Sequence, residues 1–204
     1  MALGDEFKSS GITQNTPKTI MLGAGTIHKG LTFTAGAGEA AGTWNFEESL
    51  ICATSGGSKL SITPEFYDIP VDGALVKVKG LTVKVGETAT LEINPIELTP
   101  DVLKMALIGD EAASTTATGY SEITSRAVIN QNDYLENMGY VGKTIEGKPI
   151  IIIFDYALCT SGLTLEGKNK EAAVPAFTFE CFADLTPEAD TLPYHIYYPT
   201  PATV

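Results

Sequence analysis

Two histidines, three cysteines and a pair of nearby aspartates are the residues whose types could make a reactive site in this chain. His28 and His195 stand far apart, and neither is accompanied by a nucleophile motif such as GxSxG or by metal-ligand spacing such as HExxH. A satisfied or surface imidazole is the better reading of both. Cys52, Cys159 and Cys181 are odd in number, lack any CxxC spacing and sit in apolar, strand-like runs. That pattern predicts buried free thiols in a reducing compartment rather than a disulfide frame or a zinc site. Asp68 and Asp72 offer two carboxylates, but in a turn such residues more often stay solvated or accept backbone hydrogen bonds. The run GAGEAA, at 36–41, matches a relaxed dinucleotide fingerprint in letters only, because Gly42, Thr43 and Trp44 follow where a helix is required and no βαβ pattern surrounds it. A flexible loop is the plainer reading. No catalytic, cofactor or metal site is expected, and the chain does not read as an enzyme.

Composition narrows the partners. The 204 residues are 44% hydrophobic and 19% charged, enough to bury a real core, and 13 Lys and Arg against 25 Asp and Glu give a net charge of −12. No basic run is present, so a sequence-reading nucleic-acid binder or a protein of anionic membranes is disfavoured, since both need cations to neutralise phosphates. The N-terminal stretch MALGDEFKSSGITQNTPKTI has acids where a signal peptide needs a basic region, and no apolar run reaches membrane-spanning length. Cytoplasmic synthesis without a membrane partner is expected.

The dominant period along the chain is two. Phe177, Phe179, Cys181 and Ala183 alternate with Thr178 and Glu180, which predicts a half-buried strand. In VKVKGLTVKVGETATLEIN the apolar set moves from Val76 and Val78 to the odd positions Leu81, Val83 and Val85 after Gly80, and then continues at Ala89, Leu91 and Ile93. A bulge or bend at Gly80 and a turn at Gly86-Glu87 between two antiparallel strands are the expectation. The four consecutive isoleucines of PIIIIF, at 149–154, predict a strand covered on both faces, entered from a turn at Glu146-Gly147. Residues 121–137 read either as a second short helix or as strands, with strand favoured over 125–129 and 134–141. One helix is signalled, over 99–108: Thr99 as N-cap, Pro100 at the first position, Asp101 toward the positive end of the dipole, Val102, Leu103, Ala106 and Leu107 as the apolar stripe, and Gly109 as the stop. These signals predict a mainly β chain: an antiparallel β-sandwich or barrel with one flanking helix.

The stretch TSGGSKLSITPEFYDIPVDG, 54–73, interrupts strand-like residues with Gly, Pro and charge. Its strand-like flanks make it a long hairpin arm or loop projecting from the sheet, or else a segment folded back on that sheet. An arm exposing Leu60, Ile62, Phe66, Tyr67 and Ile69 has little use in a monomer, whereas an oligomer buries it in a neighbour.

Several separate phrases carry a resemblance: ICATSGGSKLSITPEFYDIPVDGALVKVKGL, LEINPIELTPDVLKMALIG, and DYLENMGYVGKTIEGKPIIIIFDYALCTSGLTLEGKNKEAAVPAFTFECFAD. Together they resemble the major tail protein, or tail tube protein, of phages and prophages of Gram-positive bacteria, in one order from about Lys18 to Asp184. The resemblance implies a sandwich or barrel with a flanking helix, assembled as hexameric rings that stack into a hollow tube around a tape-measure protein. Tail-tip and tail-terminator proteins bound such a tube, viral DNA passes through it without specific binding, and the protein ends in the virion after synthesis in the host cytoplasm.

On this reading the chain divides into an N-terminal arm (1–19), a sandwich domain (20–184) carrying the projecting segment 54–73, and a Pro- and Tyr-rich C-terminal extension (185–204). Ser58, Leu60, Ile62, Phe66, Tyr67 and Ile69 are the candidate contacts between subunits or rings, with the N-terminal arm as a second stacking element. Removal of 58–68 is expected to spare the fold. The inner tube of a contractile particle shares the same implied fold, and a monomeric β-sandwich binding module is the reading from another class.

Overall fold

Period-two alternation becomes a mainly β architecture in the computed structural model, which describes residues 11–37, 42–185 and 191–199. A single helical turn, α1 (Thr16–Thr19), is followed by β1 (Thr26–His28), the short strands β2 (Phe33–Thr34) and β3 (Thr43–Trp44), and a second turn, α2 (Phe46–Ser49). Then come the long strands β4 (Lys59–Asp68) and β5 (Thr82–Ile93), the helix α3 (Pro100–Leu107), and the hairpin of β6 (Gly109–Ala113) and β7 (Ser121–Ser125). A 3-10 turn at Gln131–Asp133 leads to β8 (Leu135–Lys143), β9 (Pro149–Cys159), β10 (Phe177–Cys181) and β11 (Tyr194–Tyr197).

Seven strands form one antiparallel sheet in the order β1-β8-β9-β10-β5-β4, and β11 joins β9. β10 pairs with β9 over Ala157 to Cys159, and β11 pairs with it over Ile151 to Phe154, so the two share one edge of β9 end to end. The Pro- and Tyr-rich C-terminal stretch therefore contributes a strand to the sheet. Residues 49–55 bring the ends of this sheet together. Their first part pairs with β1, where Lys29 N–H donates to Ser49 O at 2.8 Å and Ile51 N–H to Ile27 O at 3.0 Å. Their second part pairs with the chain beyond β5, where Ser55 N–H donates to Asn94 O at 2.8 Å and Ile96 N–H to Ala53 O at 2.9 Å.

The main core lies inside this curl: Ala89, Leu91 and Ile93 of β5, Phe177, Phe179 and Cys181 of β10, and Phe154, Ala157 and Cys159 of β9 are all buried. Val102 and Ala106 bring one face of α3 onto the same cluster. A smaller cluster on the other side of the sheet joins Ile151 and Ile153 to Leu31, with Trp44, Phe46 and Val141 packed against it. The isoleucine run is thus covered on both faces, as its unbroken apolar pattern predicts.

Along β9 the residues of the main core change parity, from Ile152 and Phe154 to Ala157 and Cys159. β8 does the same, from Met138 and Tyr140 to Leu135, so the paired strands turn over together. The hinge of this change is Asn137, whose φ of 49° is left-handed. Asn tolerates that region better than other residues with a side chain. Its carbonyl accepts from Leu31 N–H at 3.1 Å, which fixes the loop after β1 against the bend.

Four local expectations are corrected. β5 runs unbroken through Gly86-Glu87, and the irregularity lies across from it in the β4–β5 register: Glu65 faces Gly86 while Phe66 faces Lys84, leaving Val85 as the extra residue of a bulge. Glycine at a bulge carries the same local signal as glycine at a turn. Val76 and Val78 belong to the loop between the strands, with Gly80 at φ 94° in its turn. The strand expected over 125–129 is β7, ending at Ser125. The helix is N-capped by Thr99, which accepts from Val102 N–H at 3.3 Å, but its stop is Ile108 in the left-handed region at φ 51°. Gly109 serves the next hairpin instead, since a Cβ there would lie 2.7 Å from the Thr124 carbonyl oxygen.

The bend at Asn137 yields a stability test. Asn137→Val forces a β-branched residue into the left-handed region and should cost about 1–2 kcal/mol. Asn137→Gly should be close to neutral. Urea denaturation midpoints of the two variants check the difference.

Candidate functional site

The root of the β4–β5 hairpin belongs to the body and its distal half does not. Leu60 and Ile62 pack half-buried against the main core, opposite Leu91 and Ala89. From Thr63 to Tyr67 every residue of β4 is exposed, as are Thr82 to Val85 of β5. β4 has a single partner strand, which accommodates Pro64: a proline without an N–H is tolerated on an edge. This answers the interrupted composition of 54–73, which encodes an edge strand leaving its sheet.

The arm is apolar where it is exposed. Phe66, Tyr67, Val83 and Val85 on the strands, and Ile69, Val71, Leu75, Val76 and Val78 in the connection, are nine large hydrophobic residues open to solvent. Leu75 is 97% and Val76 77% exposed, so these two side chains touch almost nothing of their own chain. A concentration of exposed apolar side chains of this kind marks an interaction site.

The tip is nonetheless ordered by its own bonds. Ile69 N–H donates to Leu81 O at 2.8 Å, Leu81 N–H to Val78 O at 3.0 Å, and Ala74 N–H to Val71 O at 3.1 Å. Asp68 anchors the base, accepting from Thr82 Oγ1 at 2.6 Å and pairing with Lys77 Nζ at 2.5 Å. Hydrogen bonds from Lys77 and Thr82 hold its carboxyl below the usual carboxylate range. Asp68 is thereby a structural carboxylate, bonded to Lys77 and Thr82 rather than to Asp72.

The six residues singled out in the sequence are divided by the fold. Phe66, Tyr67 and Ile69 stand on the exposed arm, while Leu60, Ile62 and Ser58 lie at its half-buried root. Deleting 58–68 removes the whole of β4 and strips Leu60 and Ile62 from the core, so the removable part is the connection 69–81. Sequence reading passed over Leu75, Val76 and Val78 because their alternation imitates an ordinary strand. Lys77 and Lys79, alternating with Val76 and Val78 in a loop flanked by Gly73 and Gly80, are the available signal. Of the N-terminal arm, residues 1–10 and of the glycine run, 38–41, lie outside the described residues; 11–19 are almost wholly exposed, and Thr43–Trp44 after the glycine run form a strand.

The residues with chemical potential are spent on structure. His28 is buried, with Thr26 Oγ1 2.8 Å from Nε2 and Ser49 Oγ 2.9 Å from Nδ1. Ser49 gives its proton to Asn45 O at 2.8 Å, so it accepts from Nδ1–H, and Nε2 accepts from Thr26. Both ring nitrogens of a neutral imidazole are used. Burial pushes its pKa below the ordinary histidine value. His195 lies at the surface with Nε2 3.4 Å from Asp155 Oδ1. All three cysteines are free and buried, and burial pushes the Cys52 thiol up to about 11 and Cys181 to about 12. Among the described residues no three His, Cys, Asp or Glu side chains converge to hold a metal.

No family model and no curated protein matches the chain.

Because the folded state keeps His28 neutral while the unfolded chain protonates it near pH 6.5, folding releases protons and stability falls as pH drops from about 6.5 toward the lowered folded pKa. The slope from this group is at most ~1.4 kcal/mol per pH unit. Urea denaturation at pH 7 and pH 5.5 should show a larger loss for the natural protein than for His28→Gln, and equal losses would remove His28 as the cause.

Proposed function

We propose that this protein is a structural subunit of a phage tail tube, self-assembling into hexameric rings that stack around a tape-measure protein and conduct viral DNA. The observation that supports this most directly is the projecting hairpin with its nine exposed hydrophobic residues. Burying one such side chain fully is worth about 1.5–3 kcal/mol, and association costs about 4–15 kcal/mol in lost freedom. One residue falls short of that cost, whereas the set on the arm is of the order required.

Charge supports the second half of the reading. Within 64–86, Lys77, Lys79 and Lys84 cancel Glu65, Asp68 and Asp72, so the whole net charge of −12 lies on the rest of the chain. A ring of such bodies around one axis concentrates a negative field in its bore, and DNA there is repelled by the walls rather than held. The tape-measure, tail-tip and tail-terminator proteins are the partners this role implies.

Ile69 and Leu81 face each other across the hairpin, so an Asn-Gly pair can replace 70–80 without disturbing the strands. The shortened protein should keep its circular dichroism spectrum and thermal midpoint and should form no rings or tubes. The natural protein at high concentration, or with the tape-measure and tail-tip proteins of its own particle, should form them in negative-stain micrographs. A natural protein that stays monomeric in both conditions refutes the tube reading, and a shortened protein that polymerises normally removes the arm from it.

A further inference from the structure

A surface groove of about 570 Å³ lies at the foot of the hairpin, between residues 24–26 and 50–54. Its floor is apolar, with Leu50 exposed and Ile51, Ala53 and Ala24 beside it. Two exposed acids, Glu47 and Glu97, stand at its rim. The far end of the same hairpin presents the inverse: Leu75 and Val76, almost bare, followed by Lys77 and Lys79. Lys79 has no ion-pair partner among the described residues, and Lys77 holds only Asp68. Apolar character and charge at the two ends of one arm are complementary.

We infer that the arm tip of one copy seats Leu75 and Val76 in the groove at the root of another copy's hairpin, with Lys77 and Lys79 against Glu47 and Glu97. This rests on the self-assembly reading above and names the receiving surface for it. Tip and groove are different surfaces, so the contact is heterologous: each copy gives one and receives one, and the chain of contacts does not close on a pair. The twelve residues of β5 run between the two surfaces, roughly 40 Å at ~3.3 Å per residue, which sets the scale of the repeat along the contact direction.

Disulfide trapping in the full chain tests the contact directly, since the three natural thiols are buried. Leu75→Cys protein is mixed with a size-tagged Leu50→Cys protein and oxidised briefly, and in parallel with a tagged Leu165→Cys protein, whose position is exposed on the β9–β10 loop. The Leu75–Leu50 heterodimer should exceed the Leu75–Leu165 product by at least ~10-fold, because docking raises the effective concentration of the two thiols. Adding Lys79→Glu to the tip should cut the trapped product several-fold, and Glu97→Lys in the partner should restore it. Equal trapping at Leu50 and Leu165, or none at either, overturns the inference. Tubes in micrographs of the natural protein without a Leu75–Leu50 bond would discard the groove alone and leave the tube reading standing, whereas the absence of both discards the two together.

Discussion

Ala89, Leu91 and Ile93 bury one end of β5 against β10 and the main core, and the same strand carries Val83 and Val85 out of the body beside β4. The direction of the arm is thereby set by the core, because an antiparallel ladder transmits the orientation of its buried half to its exposed half. A flexible loop bearing the same hydrophobic residues would have to be ordered on contact, at a cost of about 1–2 kcal/mol per residue in backbone entropy. The ladder has met most of that cost in the free protomer. The bulge between Glu65 and Phe66 adds local twist at the point where the arm clears the body, and so re-aims its distal faces.

The curl of the sheet depends on a second device. β8 and β9 change face together near Asn137, which lets one pair of strands bury Ile152 and Phe154 and then Ala157 and Cys159 in the same core. Residues 49–55 then join β1 to the end of β5, and the continuation of that segment is β4. Closure of the body and emergence of the arm are consequently two parts of one run of chain. A change at the root, such as loss of Leu60 or Ile62, acts on both, while a change at 69–81 acts on the arm alone.

What the sequence made legible follows from which signals are local. The helix over 99–108, the two-faced isoleucine strand and the alternating strand at Phe177 were plain because capping residues and period-two burial are written into adjacent positions. The turn expected at Gly86 was not there, since a glycine in a bulged strand and a glycine in a turn look alike until the partner strand is known. Leu75, Val76 and Val78 misled for a different reason: alternation records that one face is apolar and is silent on whether the chain itself covers that face. The closure through 49–55 depends on bonds between residues distant in sequence, and no periodicity announces it.

The separation of charge between arm and body bears on how specific assembly can be. An apolar surface alone would join copies in many registers, and a uniformly acidic subunit would repel its own kind at every approach. Here a concentration of apolar surface rides on a neutral arm, while the −12 lies on the rest of the chain. Body-to-body encounters are disfavoured by like charge, and an arm meeting a body escapes most of that penalty. In the assembly proposed above, contacts that place the arm on a neighbour's body would be favoured over those that place arm on arm or body on body, which is the asymmetry an open, repeating assembly requires.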